Sequence, residues 1–219
     1  MAIKPILFNT EMVRAILDGR KSCTRRIVKP QWEECPNCKY VHNEYIYDNL
    51  AENVYCASCG YPFVPERRAP YQPGDTIYVR ETWCDDRQFT REDTHGRYFY
   101  KASEEDGFTV KWHPSIRMPK EAARIWLKVT DVRVERLQEI TEEQACMEGT
   151  DPWDEACYEN NGWHPTFSDP DSGGDPNMIE GFHKLWNSTI KKSDLDRYGW
   201  DANPYVWVIS FERCEKPET

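Results

Sequence analysis

Two cysteine pairs carry the most specific chemistry in the chain. Cys35-Pro36-Asn37-Cys38 and Cys56-Ala57-Ser58-Cys59-Gly60 are CxxC turns with seventeen residues between them, a spacing inside the zinc-ribbon window. Two thiolates three residues apart on a tight turn point at one metal ion, and two such turns complete a tetrahedron of sulfurs. The expected ligands are therefore Cys35, Cys38, Cys56 and Cys59, and the expected cofactor is a structural Zn2+. Four sulfurs leave no open coordination position, so the metal would order the segment rather than catalyse. Gly60 permits the left-handed turn that a knuckle needs. Tyr40, Tyr45, Tyr47 and Tyr55 lie between the pairs and could pack on the ribbon or stack bases.

A second candidate is the basic loop Gly19-Arg20-Lys21-Ser22-Cys23-Thr24-Arg25-Arg26. Lys21 and Thr24 would face opposite ways on a flat strand but can converge in a turn. A lysine beside a threonine hydroxyl lowers the cost of deprotonating it, which makes a nucleophile–base pair. The same pair arises in any basic loop, so the spacing alone leaves both readings open. Cys23, next to Lys21, is a further candidate for a reactive thiol.

The surroundings limit what these groups can serve. The 219 residues carry a net charge of −10, which argues against a protein that coats duplex nucleic acid through bulk charge. Yet Arg14, Arg20, Lys21, Arg25, Arg26 and Lys29 face a single acid, Asp18, over residues 14–29. A basic site on an acidic body suits a small anionic or nucleotide-like ligand; the plain alternative is a solvated basic face. No run of 18 apolar residues suggests a membrane span, and the first residues lack signal-peptide features. Nine cysteines, an odd number, then read as reduced thiols of a cytoplasmic protein.

The elements that must position these groups follow from local patterns. Ile6-Leu7-Phe8 reads as a strand, and Asn9 or Thr10 caps a helix from Glu11 to Asp18 whose inner face is Met12, Val13, Ile16 and Leu17. Residues 31–70 read as an inserted zinc-knuckle module within a single domain spanning 1–219. Pro73-Gly74-Asp75 opens a strand over 76–83, and 98–101 and 109–112 are further candidate strands. Over Ile125–Thr130 the apolar residues alternate, then slip by one at Val132 and Val134, which predicts a bulge or bend at Asp131. Thr141 and Gln144 form a capping box, with Ile140 and Ala145 as a hydrophobic staple and Gly149 as the stop. Residues 150–174 read as an acidic irregular loop. A helix starts at Asp175-Pro176, with Ile179, Phe182, Leu185 and Trp186 at core spacing. A late buried strand covers 204–211. The class is α+β and rich in strands.

Several of these pieces resemble the ASCH family of PUA-like β-barrels: Ile16 to Lys21 with Thr24 and Arg26, Pro73 to Val79, Leu127 to Val132, Thr141 to Ala145 with Glu148-Gly149, and Val206 to Glu212. Residues 112–116 and 182–188 are similar to long forms carried by bacteriophages and prophages. The resemblance implies a PUA-like (ASCH) β-barrel with flanking helices and an inserted zinc-ribbon-like module. It also implies a site, because small ASCH enzymes that hydrolyse N(4)-acetylcytidine use a lysine, a threonine and a glutamate at these motif positions. Carried over, Lys21 is the general base, Thr24 the nucleophile on the acyl carbonyl, and Glu148 the group that handles the leaving amine's proton. Arg26 would hold the base or the developing oxyanion.

Around that site, Arg80 and Glu81 could line a pocket mouth, with Glu81 accepting from a cytosine amino group, or could form an ordinary strand-end ion pair. Trp126 and Trp112 could stack a base or belong to the core. His113 reads as a loop histidine. Three functions are then expected in decreasing order. The first is an amidohydrolase on an acylated cytidine. The second is a non-catalytic module binding a nucleotide or single-stranded RNA. The third is a phage–host interaction protein that uses its acidic loop.

Overall fold

The computed structural model describes residues 2–29, 31, 35, 37–39, 45–48, 53–63, 69–85, 98–104, 110–150 and 178–217. The predicted 150–174 loop, apart from Thr150, the helix start at Asp175-Pro176, and Thr109 and Tyr40 lie outside them. The frame is a five-stranded sheet in the order β1 (Ile3–Leu7), β6 (Thr76–Arg80), β9 (Trp126–Arg136), β10 (Tyr205–Cys214), β2 (Cys23–Ile27). The pair β1/β6 is parallel and the other three pairs are antiparallel. A smaller sheet holds β3 (Tyr45–Asp48), β4 (Asn53–Cys56) and β5 (Pro62–Phe63), and a third pairs β7 (Trp83–Asp85) with β8 (Tyr98–Tyr100). The segment 110–112, expected as a strand, holds no regular strand; His113 makes only an isolated bridge to Trp83.

Among the described residues, the main sheet does not close into a barrel, because β1 and β2 remain its edges. The two edges do approach each other. Arg26 Nη2 donates to the Leu7 carbonyl at 3.2 Å, so a side chain spans the gap that a ladder of backbone hydrogen bonds would close. The architecture is a mixed α+β frame with an open sheet.

Both faces of the sheet are covered, and β10 shows why its sequence is apolar at consecutive positions. Tyr205, Trp207, Ile209 and Phe211 join a core with Ile6, Phe8, Val13, Ile16, Ile77 and Val79. Val206 and Val208 face the other way, against Leu137, Ile140 and Ala145, and against Met178, Phe182 and Trp186 of α3 (Met178–Thr189). The phase slip along β9 is a bulge. Ser210 pairs with Asp131 and Phe211 with Val129, which leaves Thr130 over. That extra residue lets Leu127, Val129 and Val132 all enter one core despite their spacing.

The helix ends behave as their residue types dictate. The Asn9 side chain accepts from the Met12 N–H at 2.8 Å and starts α1 (Thr10–Leu17), in which Val13 and Ile16 are buried. Thr141 and Gln144 form the reciprocal capping box of α2 (Glu142–Met147). Gly149 follows with φ of +77°. A short helix, α4 (Leu195–Tyr198), precedes β10. No helix among the described residues is long and apolar enough to cross a membrane.

Candidate functional site

The two ends of the resemblance meet in space. Lys21 lies just before β2 and Glu148 caps the C-terminus of α2, and the Lys21 Nζ donates to Glu148 Oε2 at 2.9 Å. The same ammonium donates to the Glu148 carbonyl at 2.7 Å and the Cys23 carbonyl at 2.8 Å. An ammonium has three protons, so each has an acceptor. Backbone contacts hold the two segments in register: the Lys21 N–H donates to Ala15 O, and the Ser22 N–H to Met147 O. Gly149 is required here twice over. Its φ is left-handed, and a Cβ at that position would lie 2.6 Å from the Ala15 Cβ and 3.0 Å from the Lys21 Cβ.

Glu148 has a second cation. Arg25 Nη1 donates to Glu148 Oε1 at 3.2 Å, and Nη2 donates to Gln144 Oε1 at 2.7 Å and Glu135 Oε2 at 3.3 Å. The Lys21 and Arg25 side chains are 0% exposed and that of Glu148 is 3% exposed. Arg133 continues the series outward through Glu135 and Asp131. Six residues, Asp131, Arg133, Glu135, Arg25, Glu148 and Lys21, thus alternate in sign from the surface to the interior. Alternation is what allows charges to be buried at all.

Thr24 sits on the opposite face of β2 from Arg25, beside Arg26 in the strand alternation. It is buried and pairs with Ile209. No hydrogen bond of its hydroxyl occurs among the described residues. The Arg26 guanidinium carbon and the Lys21 Nζ lie 5.6 and 5.4 Å from the centre of the Phe8 ring. Phe8 is therefore the shared neighbour of the two cations that flank Thr24 in sequence. Cys23 is buried, and burial, reinforced by the Glu148 charge, pushes its thiol up to about 12, which disfavours the thiolate.

The other predicted contacts are placed differently. Glu81 is buried, and both its oxygens accept from Arg124, from Nε and Nη2 at 2.9 Å each. Glu81 thus forms an ion pair with Arg124. Arg80 ends β6, and its buried Nε has no hydrogen-bond partner among the described residues. Trp126 is a core residue, packed on Tyr78 with ring centres 5.7 Å apart and its N–H donated to the Ala123 carbonyl. Lys120 and Lys216 also approach its ring, at 5.9 and 6.0 Å from the centre. Trp112 is half-buried. His113 packs against Trp83 at 5.0 Å between ring centres.

The four cysteines come together as their spacing requires. Cys35, Cys38, Cys56 and Cys59 place all their sulfurs within 4.8 Å of one another. Cys35 Sγ to Cys59 Sγ and Cys38 Sγ to Cys56 Sγ are each 3.7 Å, far beyond a disulfide bond. The two turns repeat one geometry. The Cys38 and Cys59 N–H groups donate to Cys35 Sγ and Cys56 Sγ. Lys39 and Gly60, each following its pair, have φ of 57° and 67°. Asn37 donates to Cys59 Sγ and, with further hydrogen bonds, lowers that thiol to about 6. The inner sulfurs, of Cys35 and Cys56, are buried in the main apolar core. Such a donor set fits a tetrahedral metal ion.

No family model, curated protein or solved structure matches the chain.

Sequence reasoning did not single out Arg25, Gln144 or Glu135. The signal for Arg25 was the period of two in β2, which separates Arg25 from Thr24 and Arg26. Gln144 and Glu148 are four apart on one helix and so share a face. That pair was legible as a possible clamp once α2 was recognised, whereas Glu135 could be found only from the β9/β10/β2 register.

Proposed function

We propose that the chain is an ASCH-type protein that recognises a nucleobase at the Lys21, Thr24 and Glu148 cluster and hydrolyses an acylated cytidine there. The observation that carries the reading is the direct contact between Lys21 and Glu148, 127 residues apart in sequence, with Thr24 buried on the strand that follows Lys21. The Phe8 ring lies near both the Lys21 ammonium and the Arg26 guanidinium.

The chemistry balances with this chain's own groups. Lys21 first passes one proton to Glu148 across their 2.9 Å contact, giving an amine and a carboxylic acid. Thr24 Oγ1 attacks the acyl carbon, and its proton goes to the Lys21 amine. The carbon–nitrogen bond breaks, the base's exocyclic nitrogen takes the Glu148 proton, and the acyl group remains as a threonine ester. Water then hydrolyses the ester and restores Thr24.

The four-cysteine centre is assigned Zn2+ in a structural role. A zinc–sulfur bond of about 2.3 Å implies sulfurs about 3.8 Å apart in a tetrahedron, close to the two 3.7 Å separations. The ion would hold the 31–70 module against the sheet.

A second reading is favoured by one observation. All three Lys21 protons have acceptors and Glu148 has two cations, as in a resting ion network. On that reading the protein binds a nucleotide or single-stranded RNA without turnover. Incubation with N(4)-acylated cytidines, followed by chromatography, separates the two. Release of cytidine that vanishes in folded Lys21→Ala and Thr24→Ala selects hydrolysis. Single-stranded RNA binding without release selects the second reading, and neither binding nor release refutes both.

A further inference from the structure

Glu148 must present its carboxylate to Lys21 in a fixed orientation if a proton is to cross between them. One hydrogen bond cannot do this, because a carboxylate held by a single oxygen swivels about it. Here the two oxygens are held by different cations: Oε2 by Lys21 at 2.9 Å and Oε1 by Arg25 at 3.2 Å. Two anchors on two oxygens define the carboxylate plane.

Arg25 is itself fixed. Its Nη2 donates to Gln144 Oε1 at 2.7 Å and Glu135 Oε2 at 3.3 Å, and its guanidinium carbon lies 5.7 Å from the centre of the Phe182 ring. Gln144 is in turn held by the Thr141 capping box. The guanidinium fork therefore spans one turn of α2, from Gln144 to Glu148, and ties the helix that carries the carboxylate to the strand that carries Thr24. A lysine at this position lacks the planar fork that lets two separate nitrogens hold Glu148 and Gln144.

We propose that Arg25 is a positioning residue, which holds the Glu148 carboxylate against Lys21 and thereby sets the contact through which their proton passes. The proposal rests on the hydrolytic reading for its catalytic consequence, but its geometric content can be tested without turnover.

The experiment compares wild type, Arg25→Met and Arg25→Lys in two measurements. The first is steady-state hydrolysis of N(4)-acetylcytidine, normalised to folded protein. Arg25→Met should lower kcat about 100-fold, the cost of a misplacement on the ångström scale. KM should stay within about twofold, since the lost contact positions a reacting group rather than binding substrate. Arg25→Lys should recover part of the loss. The second is the proton-exchange rate of the Lys21 ammonium, read by nitrogen-15 NMR. It should be slow in wild type and at least about tenfold faster in Arg25→Met, because opening of the pair exposes its protons.

Unchanged kcat in folded Arg25→Met overturns the proposal, and so does unchanged ammonium exchange. If wild type releases no cytidine, the hydrolytic reading fails, and ammonium exchange alone decides whether Arg25 positions Glu148. If Arg25→Met does not fold, Arg25→Lys carries the test: faster ammonium exchange supports positioning, and wild-type exchange refutes it.

Discussion

Replacing Glu148 with glutamine removes the one carboxylate that two buried cations share. Lys21 keeps its two backbone carbonyl acceptors and Arg25 keeps Gln144 and the partly exposed Glu135, so hydrogen bonding survives while charge balance does not. Breaking a buried pair from one side costs about 3–5 kcal/mol, and the surviving acceptors place Glu148→Gln near the middle, about 4 kcal/mol. With a urea dependence of about 2 kcal/mol per molar, the unfolding midpoint should fall by about 2 M. The assay is urea unfolding followed by circular dichroism at low and high salt, and the loss should barely depend on salt because the pair is out of solvent. Lys21→Met combined with Glu148→Gln should cost less than the two single changes summed, since the second removes a charge that the first left unpaired. A drop of less than about 1 kcal/mol, the value of an exposed pair, would refute the argument. So would additive losses in the double variant.

Three further outcomes are expected. Asp75 is buried, which raises its carboxyl, but Lys4 and the Ala2 and Gln72 N–H groups outweigh burial and hold it below its ordinary value. Its folded-state value being depressed, its stabilisation is complete above pH of about 4 and is lost as pH falls through the folded value. The destabilisation of Asp75→Asn in chemical unfolding should therefore be largest at neutral pH and shrink in acid; a constant loss would contradict it. Gly149→Ala combines a left-handed backbone with the 2.6 Å approach to Ala15. At about 1–2 kcal/mol for the backbone alone, it should lower Tm by roughly 5 °C, and an unchanged melt would show that the α2 terminus yields freely. Chelation, or Cys35→Ser, should release one zinc ion per chain by elemental analysis and destabilise the whole domain, because Cys35 and Cys56 lie in the main core. Zinc-free protein with an unchanged melt would remove the metal from the account.

What could be read from the sequence was local. Asn9, the Thr141–Gln144 box and Gly149 announced their helix ends because a cap is satisfied within four residues. The slip between Val129 and Val132 announced the bulge because a strand's period is two. The cysteine spacing announced its own cluster for the same reason: each turn aims its own ligands. Pairings across distance left no such mark. Glu81 could be seen as a strand-end acid, but nothing near it pointed to Arg124, 43 residues on. Trp126 alternates like any strand aromatic, and only the packing of Tyr78 and Ala123 assigns it to the interior. Lys21 and Glu148 were joined by motif resemblance, yet Arg25 entered their cluster only through the fold. The closed barrel was expected from the same resemblance; the described sheet instead keeps two edges, with Arg26 reaching between them.

The strand order has a consequence for biosynthesis. Among the described residues β2 has one neighbour in the sheet, β10, the last of the sheet's strands in sequence order. A chain emerging from the ribosome cannot seat residues 23–27 in the sheet until residues 205–214 follow. Through that interval Lys21 and Arg25 must stay hydrated, since their carboxylate partner has nowhere to dock them. Assembly of the charged cluster is thus deferred until residues 205–214 have been made, and a product truncated before them would carry its cations but no finished centre.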